Sequence, residues 1–374
     1  MNFYNLPTPC YVIDEKKLIK NLEILRRVQN NTGCKILLAQ KAFSAYWLYP
    51  LIGQYLCGTT ASGLYEAKLG YEHMGKETHI FSPAYKEKDF DEICNMCGHI
   101  VFNSFSQLEK FKSKCKSRGV SMGIRLNPEF STQSGHEIYD PCAPGSRLGV
   151  TAKNFREDLL EDIKGFHFHT LCEQNSDDLT ATFKAVEEKF GKYLSRAKWI
   201  NFGGGHHITR EDYDIKALEE LIKYTQNKYN VTVYLEPGEA VALNAGYLIT
   251  EVLEKVHNGI DILILDASAA CHMPDVLEMP YRPPLKESGL KGEKKYDYRL
   301  SSCTCLAGDI TGDYSFDKEI AVGDKLVFED MAIYSMVKNN TFNGMPLPSI
   351  ALMRTDGDCE IIKEFGYEDF KSRL

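Results

Sequence analysis

The sequence predicts an α/β chain with a second, β-rich part: a (β/α)8 TIM-type barrel followed by a mainly β sandwich or barrel domain. Three observations carry this. Eight short β-rich runs alternate with helix-like stretches between residues 34 and 235, the strand count of a (β/α)8 barrel. The helical pattern fades after about residue 245 and strand-like runs joined by turns take over. The length, 374 residues, exceeds one ordinary core and suits two domains. A doubly wound open sheet also alternates strand and helix, and is the second choice for the first domain.

The opening strand-like segment Pro9–Asp14 precedes the barrel. It is expected to pair with the β domain, which would make that domain discontinuous: residues 1–15 with 246–374, around a barrel of residues 16–245. The barrel runs lie near 34–40, 56–60, 78–82, 99–103, 120–126, 163–168, 198–202 and 231–235. One connecting helix carries clear punctuation. Ser106 and Glu109 read as a capping box before Leu108, Phe111 and Cys115, and Gly119 follows the end. Beyond residue 245, Tyr247–Val256, Asp261–Asp266, Tyr298–Leu306, Lys325–Tyr334 and Ser349–Arg354 read as strands.

Composition narrows the function classes. The formal net charge is −8 with no basic cluster, which argues against a nucleic-acid partner and suits a small cationic one. No run of 18 apolar residues occurs, so no membrane partner is expected. Met1–Pro7 lacks a basic region before an apolar stretch, so a cytoplasmic location is expected. Twelve cysteines in a chain of this kind are expected as reduced thiols. Cys94 and Cys97 form a C-x-x-C, Cys303 and Cys305 a C-x-C. A structural zinc site needs about four ligands and no second pair lies at suitable spacing, so no metal is assigned. One thiol of the Cys94–Cys97 pair is expected buried and the other half-exposed.

Four unusual features fall at strand ends, where barrel active sites are built. Lys41 ends the first run, Ile36–Gln40. A partly desolvated lysine there has a lowered pKa and can condense with an aldehyde; the alternative is a lysine that snorkels to solvent. His169 ends the sixth run on the same face as Gly165 and His167, and can stack on a flat cofactor or simply be a hydrogen-bonded core histidine. Gly203-Gly204-Gly205 end the seventh run, and their amides can approach a phosphate, although ordinary loops also use glycines. Glu236-Pro237-Gly238-Glu239 end the eighth run. Glu236 can hold a proton on a pyridine nitrogen, which makes the ring an electron sink, and Gly238 can complete the phosphate cradle. A solvated strand end is the plain alternative for Glu236.

Together these residues resemble the alanine-racemase-like pyridoxal-phosphate enzymes, in particular the ornithine and diaminopimelate decarboxylases, over nearly the whole chain. The resemblance implies pyridoxal 5'-phosphate as cofactor, on Lys41, with His169 stacked on it, Gly203 to Gly205 and Gly238 at the phosphate, and Glu236 at the ring nitrogen. Arg125, in Ile124-Arg125-Leu126-Asn127-Pro128, matches a family arginine near the cofactor. Ser146-Arg147-Leu148-Gly149 is similar to a family S-K-F-G segment. Cys305 and Asp309 match a C-x-x-x-D loop that reaches the neighbouring subunit's site, which implies a homodimer with shared active sites. Tyr334, followed by Phe342-Asn343-Gly344, matches a tyrosine that contacts the phosphate.

The departures from the family pattern bear on substrate. Thr59 stands for an acidic residue, Leu171-Cys172 for Gly-Ser, Glu239 for an arginine, and Leu306 for an aspartate that meets a distal amine. Cys172 offers a phosphate only a weak donor. These swaps resemble a branch acting on carboxylated polyamines. The implied reaction is loss of carbon dioxide from such a substrate, with Cys305 returning a proton to the α-carbon. Glu239 and Asp275, with Glu278 behind them, are the anions expected to meet its amines, and Asp309 is expected in the same substrate pocket. Three other readings stand beside this one: a decarboxylase of diaminopimelate or ornithine, which Glu239 disfavours; a racemase on the same barrel, which the Cys305–Asp309 loop disfavours; and a non-catalytic regulator of polyamine levels, which the retention of Lys41, His169, Glu236 and Cys305 disfavours.

Overall fold

A computed structural model describes residues 3–133 and 139–374. By internal contacts the chain forms two units, Met1–Lys20 with Ala242–Leu374, and Asn21–Val241.

Among the described residues, eight parallel strands close the second unit into a barrel. They are β2 (Lys35–Ala39), β3 (Gly58–Ala61), β4 (Glu77–Phe81), β5 (His99–Phe102), β6 (Ser121–Arg125), β7 (Gly165–His167), β8 (Trp199–Asn201) and β9 (Thr232–Leu235), numbered after β1 (Cys10–Asp14) of the other unit. Closure comes from β2, whose Lys35 and Ile36 pair with Tyr234 and Leu235 of β9. An open doubly wound sheet has no such pairing, so the barrel reading holds. The strands are buried on both faces, as a parallel sheet under helices requires.

Alternate residues point inward and fill the barrel in layers. Leu37, Val101, Trp199 and Tyr234 pack as one apolar layer. Gly123 and Gly165 make room for the indole: a Cβ at Gly165 would lie 2.0 Å from Trp199 Cδ2. Register then carries Arg125, His167 and Asn201 side by side above that layer, through the pairs Arg125–His167 and His167–Asn201. Those three, with Glu236 just past β9, lie toward the C-terminal ends of the strands.

The outer helices follow the same logic. Helix Glu15–Thr32 buries Leu18, Leu22, Leu25 and Val28, a stripe at helical spacing. Helix Ile215–Tyr229 starts where the Asp214 carboxylate accepts from Ala217 N at 3.0 Å, and stops at Asn230 in the left-handed region. Helix Phe105–Ser117 corrects the expected cap. Its N-cap is Ser104, which accepts from Gln107 N at 3.3 Å, while Gln107 Oε1 reaches back to Asn103 N. Ser106 lies in the first turn and bonds only sideways to Ser104 Oγ at 2.9 Å. Cys94 and Cys97 are both buried, so the half-exposed thiol expected there is also corrected; Cys94 turns its sulfur toward Cys115 at 3.9 Å. Among the described residues no group of metal ligands forms.

The other unit is mainly β. Its strands are β1, β10 (Gly246–His257), β11 (Asp261–Leu265), β12 (Tyr296–Ser302), β13 (Ile310–Phe316), β14 (Lys325–Glu329), β15 (Ser349–Met353) and β16 (Cys359–Lys363). The order is β13-β12-β11-β10-β1-β15-β16, with β14 also pairing β10. β1 lies between β10 and β15, so the first segment of the chain does belong to this sheet. β13 and β16 were not among the expected strands. Two segments are shorter than expected: β12 ends at Ser302, before the loop carrying Cys305, and β14 ends at Glu329, before Tyr334. No helix among the described residues is long and apolar enough to cross a membrane.

Candidate active site

The barrel brings Lys41, Arg125, His169, Gly203 to Gly205, Glu236, Gly238 and Glu239 to the C-terminal ends of its strands. Lys41 follows β2 and Gln40, whose amide donates to Thr60 O at 3.2 Å. Its side chain is exposed to solvent yet closely surrounded by protein atoms. That desolvation, then the Arg125 charge, lowers its pKa; Glu236 and Glu239 oppose the shift. A larger share of the amine is therefore neutral and nucleophilic near pH 7.

Arg125 is buried and donates to His169 O at 3.1 Å, with its guanidinium 4.5 Å from the centre of the Phe81 ring. Burial lowers its pKa to about 10, so it stays cationic in the working range. His169 accepts from Gly204 N at 2.7 Å through Nδ1. That bond assigns the ring proton to Nε2 and fixes the ring plane. Burial first, and then the Lys41 and Arg125 charges, hold this imidazole well below its usual pKa, so it is neutral.

The glycines are dictated by backbone approach. A Cβ at Gly203 would lie 2.5 Å from Phe168 O, and one at Gly205, where φ is +81°, 2.0 Å from Leu171 O. The amides of Gly203 and Gly204 are taken by Asn201 Oδ1 and His169. Those of Gly205 and Gly238 donate to nothing among the described residues.

Glu236 ends β9. Its Oε1 accepts from Asn201 Nδ2 at 2.8 Å, and its Oε2 faces His167 Nε2 at 3.2 Å. Burial alone would push this carboxyl up, but the His167 and Asn201 bonds outweigh it and hold it at about 2. Glu239, three residues on, is paired with the buried His207 at 2.9 Å, and its side chain is 13% exposed.

The β unit holds the remaining candidates. Cys305 is exposed, in a loop tied down where its amide donates to Asn343 Oδ1 at 2.9 Å. Asp309 was expected to face substrate. Its carboxylate is buried and accepts from Ser268 Oγ, Ser302 Oγ and Thr304 Oγ1, each at 2.6 Å, and from Ala270 N. Burial would raise its pKa, but those donors lower it, so the carboxylate is an anchor for the loop bearing Cys305. Asp275 and Glu278 share Lys338, with side chains 28% and 54% exposed. Tyr334 is half-buried, takes φ +55°, and caps the short helix Ser335–Lys338.

The barrel set suits pyridoxal phosphate: an amine of lowered basicity for the aldehyde, a neutral flat imidazole, two unclaimed amides for the phosphate, and a carboxylate that stays ionised. Sequence reasoning missed Asn201 and His207 and the part His167 plays beside Glu236. The inward register of Asn201 and His167 with Arg125 is the signal that would have found the first and last.

A family profile described as pyridoxal-dependent decarboxylase, C-terminal sheet domain, matches residues 10–332. The carboxynorspermidine/carboxyspermidine decarboxylase of Campylobacter jejuni is 46% identical over 100% of both chains. The carboxyaminopropylagmatine decarboxylase of a Synechocystis species is 40% identical over 99% of this chain and 96% of its own. The crystal structure of Campylobacter jejuni carboxynorspermidine decarboxylase complexed with norspermidine superposes with a TM-score of 0.92, at 44% identity, covering 99% of this chain and 100% of that one. With the barrel, the β unit and the strand-end residues, these matches show that the chain belongs to the pyridoxal-dependent ornithine, diaminopimelate and arginine decarboxylase family, whose members are carboxy-lyases.

Proposed function

We propose that this chain removes the carboxylate from carboxynorspermidine or carboxyspermidine, giving norspermidine or spermidine, as a cytoplasmic homodimer. The observation that carries the reading is Glu239, a second anion at the barrel mouth three residues past Glu236, held there by His207. A substrate with amines beyond its reacting centre needs such a charge. The two Campylobacter matches support the choice of triamine.

Pyridoxal phosphate, when bound, supplies a ring that accepts the electron pair left as carbon dioxide departs. The chain's own groups do the rest. Lys41 would hold the cofactor's aldehyde end through its amine. His169, fixed by Gly204, would shield one face of the ring from water. The unclaimed amides of Gly205 and Gly238 would meet the phosphate, Arg125 would add positive charge nearby, and Tyr334 is the β unit's candidate for a phosphate contact. Glu236 would hold a proton on the ring nitrogen. Cys305, from the partner subunit, returns a proton to the α-carbon, and Asp309 holds its loop in shape. Glu239 would meet an amine of the substrate, and Asp275, by exchanging its Lys338 partner, is the β unit's candidate for another.

Mass detection of product tests the reading, with a panel of carboxynorspermidine, carboxyspermidine, carboxyaminopropylagmatine, diaminopimelate and ornithine. The two carboxytriamines are expected to have the highest kcat/KM. A clear preference for carboxyaminopropylagmatine, the substrate named for the Synechocystis relative, would replace the reading with one in which the distal anion meets a guanidinium.

A further inference from the structure

Glu236 is buried among three neighbouring strands' inward residues, yet it is not left to find its donors in a ligand. Asn201 of β8 reaches one oxygen at 2.8 Å and His167 of β7 the other at 3.2 Å. The His167 ring is itself fixed. It is 2% exposed and stacks on Phe81 of β4, with centroids 5.5 Å apart and planes 19° apart. Its Nδ1 is buried and has no partner among the described residues. An imidazole that faces a carboxylate with Nε2 and leaves Nδ1 bare carries its one proton on Nε2. A second proton would sit on Nδ1 with no acceptor, close to the charges of Arg125 and Lys41.

We propose that His167 is a positioning residue for the decarboxylation: as a neutral Nε2–H donor it aims Glu236 and keeps it anionic, so that Glu236 can hold the proton on the cofactor's ring nitrogen. This rests on the reading of Glu236 as the ring-nitrogen partner. The other groups facing Glu236 are His79 of β4, His99 of β5, Arg125 of β6, Asn201 of β8, Lys41 after β2 and His206 after β8. Burial has already driven His99 to about 3 and His206 to about 4, so neither is a cation near neutral pH. Arg125 and Lys41 attract the carboxylate charge without donating a hydrogen bond to it. Of the groups that lower the Glu236 pKa, the His167 hydrogen bond ranks first. Without it, burial is opposed by one amide and more distant charges, and the carboxyl moves up toward the protonated form. A protonated carboxyl donates to the ring nitrogen instead of stabilising its proton.

His167→Phe keeps a flat ring on Phe81 and removes the donor. In the holoenzyme loaded with 15N-labelled pyridoxal phosphate, the ring-nitrogen shift of the wild type should report a protonated ring across the working range. In His167→Phe the ring proton should be lost at a pH lower by about one unit or more, since 1.4 kcal/mol is one unit. kcat should fall tenfold or more with KM within threefold, and the acid limb of its pH profile should move up. His167→Gln, which restores an N–H donor, should return kcat to within threefold of wild type, and it carries the test by itself if His167→Phe does not fold. An unshifted ring-nitrogen titration in His167→Phe, or a His167→Gln enzyme as impaired as His167→Phe, overturns the proposal. Glu236→Gln separates the two levels: full activity in that variant removes the Glu236 reading itself, whereas loss there with no effect at His167 removes only this inference.

Discussion

Glu239→Gln isolates the charge that the substrate reading depends on. The amide keeps the size of the side chain, and its oxygen can still accept from His207 Nε2–H, so the 2.9 Å contact has a replacement and the turn after β9 should hold. What disappears is one negative charge. The side chains of Glu239 and His207 are 13% and 7% exposed, so bulk water screens that charge weakly. Two unit charges about 4 Å apart at an effective dielectric of about 20 interact by about 4 kcal/mol, and breaking one side of a buried pair costs about 3–5 kcal/mol. Incomplete burial and the remaining amide dipole reduce this to about 3 kcal/mol, or about a hundredfold in kcat/KM for the carboxytriamine. Steady-state kinetics with mass detection measures it, and the cofactor absorbance should be unchanged. The loss should lie in KM if the amine is held equally in the ground and transition states. Asp275→Asn should cost less, because Asp275 is more exposed and already shares Lys338 with Glu278. A Glu239→Gln enzyme within threefold of wild type would show that the amines are held elsewhere, and Glu278 would be the next residue to replace.

Other predictions address the cofactor, the dimer and the fold. Lys41→Ala should purify without covalently held cofactor; peptide mapping after borohydride that found the cofactor on another lysine would remove Lys41 from the role. Mixing Lys41→Ala with Cys305→Ala should recover about a quarter of wild-type activity if sites are shared across an isologous dimer, and no recovery despite proven subunit exchange would exclude sharing. Gly205→Ala places a Cβ 2.0 Å from Leu171 O at φ +81°, so it should lower stability by about 2 kcal/mol or more and weaken phosphate-dependent cofactor binding, read by Tm and by cofactor titration. Glu236 is held at about 2 against an ordinary 4.5, so its carboxylate contributes stability above about pH 4.5 that is lost as pH falls through 2. Acid unfolding followed by circular dichroism should therefore be shallower in Glu236→Gln over that window.

The barrel was legible because its strands are buried on both faces and read as short, nearly continuous apolar runs between helical patterns. The missed strands lack that signature. β13 reads Ile310-Thr311-Gly312-Asp313-Tyr314-Ser315-Phe316, half of it polar, and Asp313 is there to meet Arg299 across the pair at 2.8 Å. β16 is the last strand of its sheet, with only Cys359 fully buried, so little hydrophobic pattern marks it. The cap of helix Phe105–Ser117 was shifted because two serines two residues apart both fit the cap pattern, and Gln107 rather than Glu109 supplies the reciprocal bond.

The site divides along the same line. Lys41, His169, the glycines and Glu236 were legible because each interrupts an apolar run at a strand end. Their partners were not, because the contacts are remote in sequence: Asn201 is 35 residues and His167 69 residues from Glu236, and Lys338 is 63 residues from Asp275. These remote contacts change the charge of the site rather than its inventory. His169, His206 and His167 all have lowered pKa values, the last by burial despite its carboxylate partner. At the strand ends Lys41 and Arg125 face Glu236 and Glu239, with Glu66 also acting on Lys41 and Arg147 on Arg125. A phosphate dianion adds about −1.5 to −2 to that balance. That added negative charge favours a substrate carrying several amines over ornithine, with one distal amine. The desolvation that keeps those rings neutral therefore acts in the same direction as the carboxylates themselves.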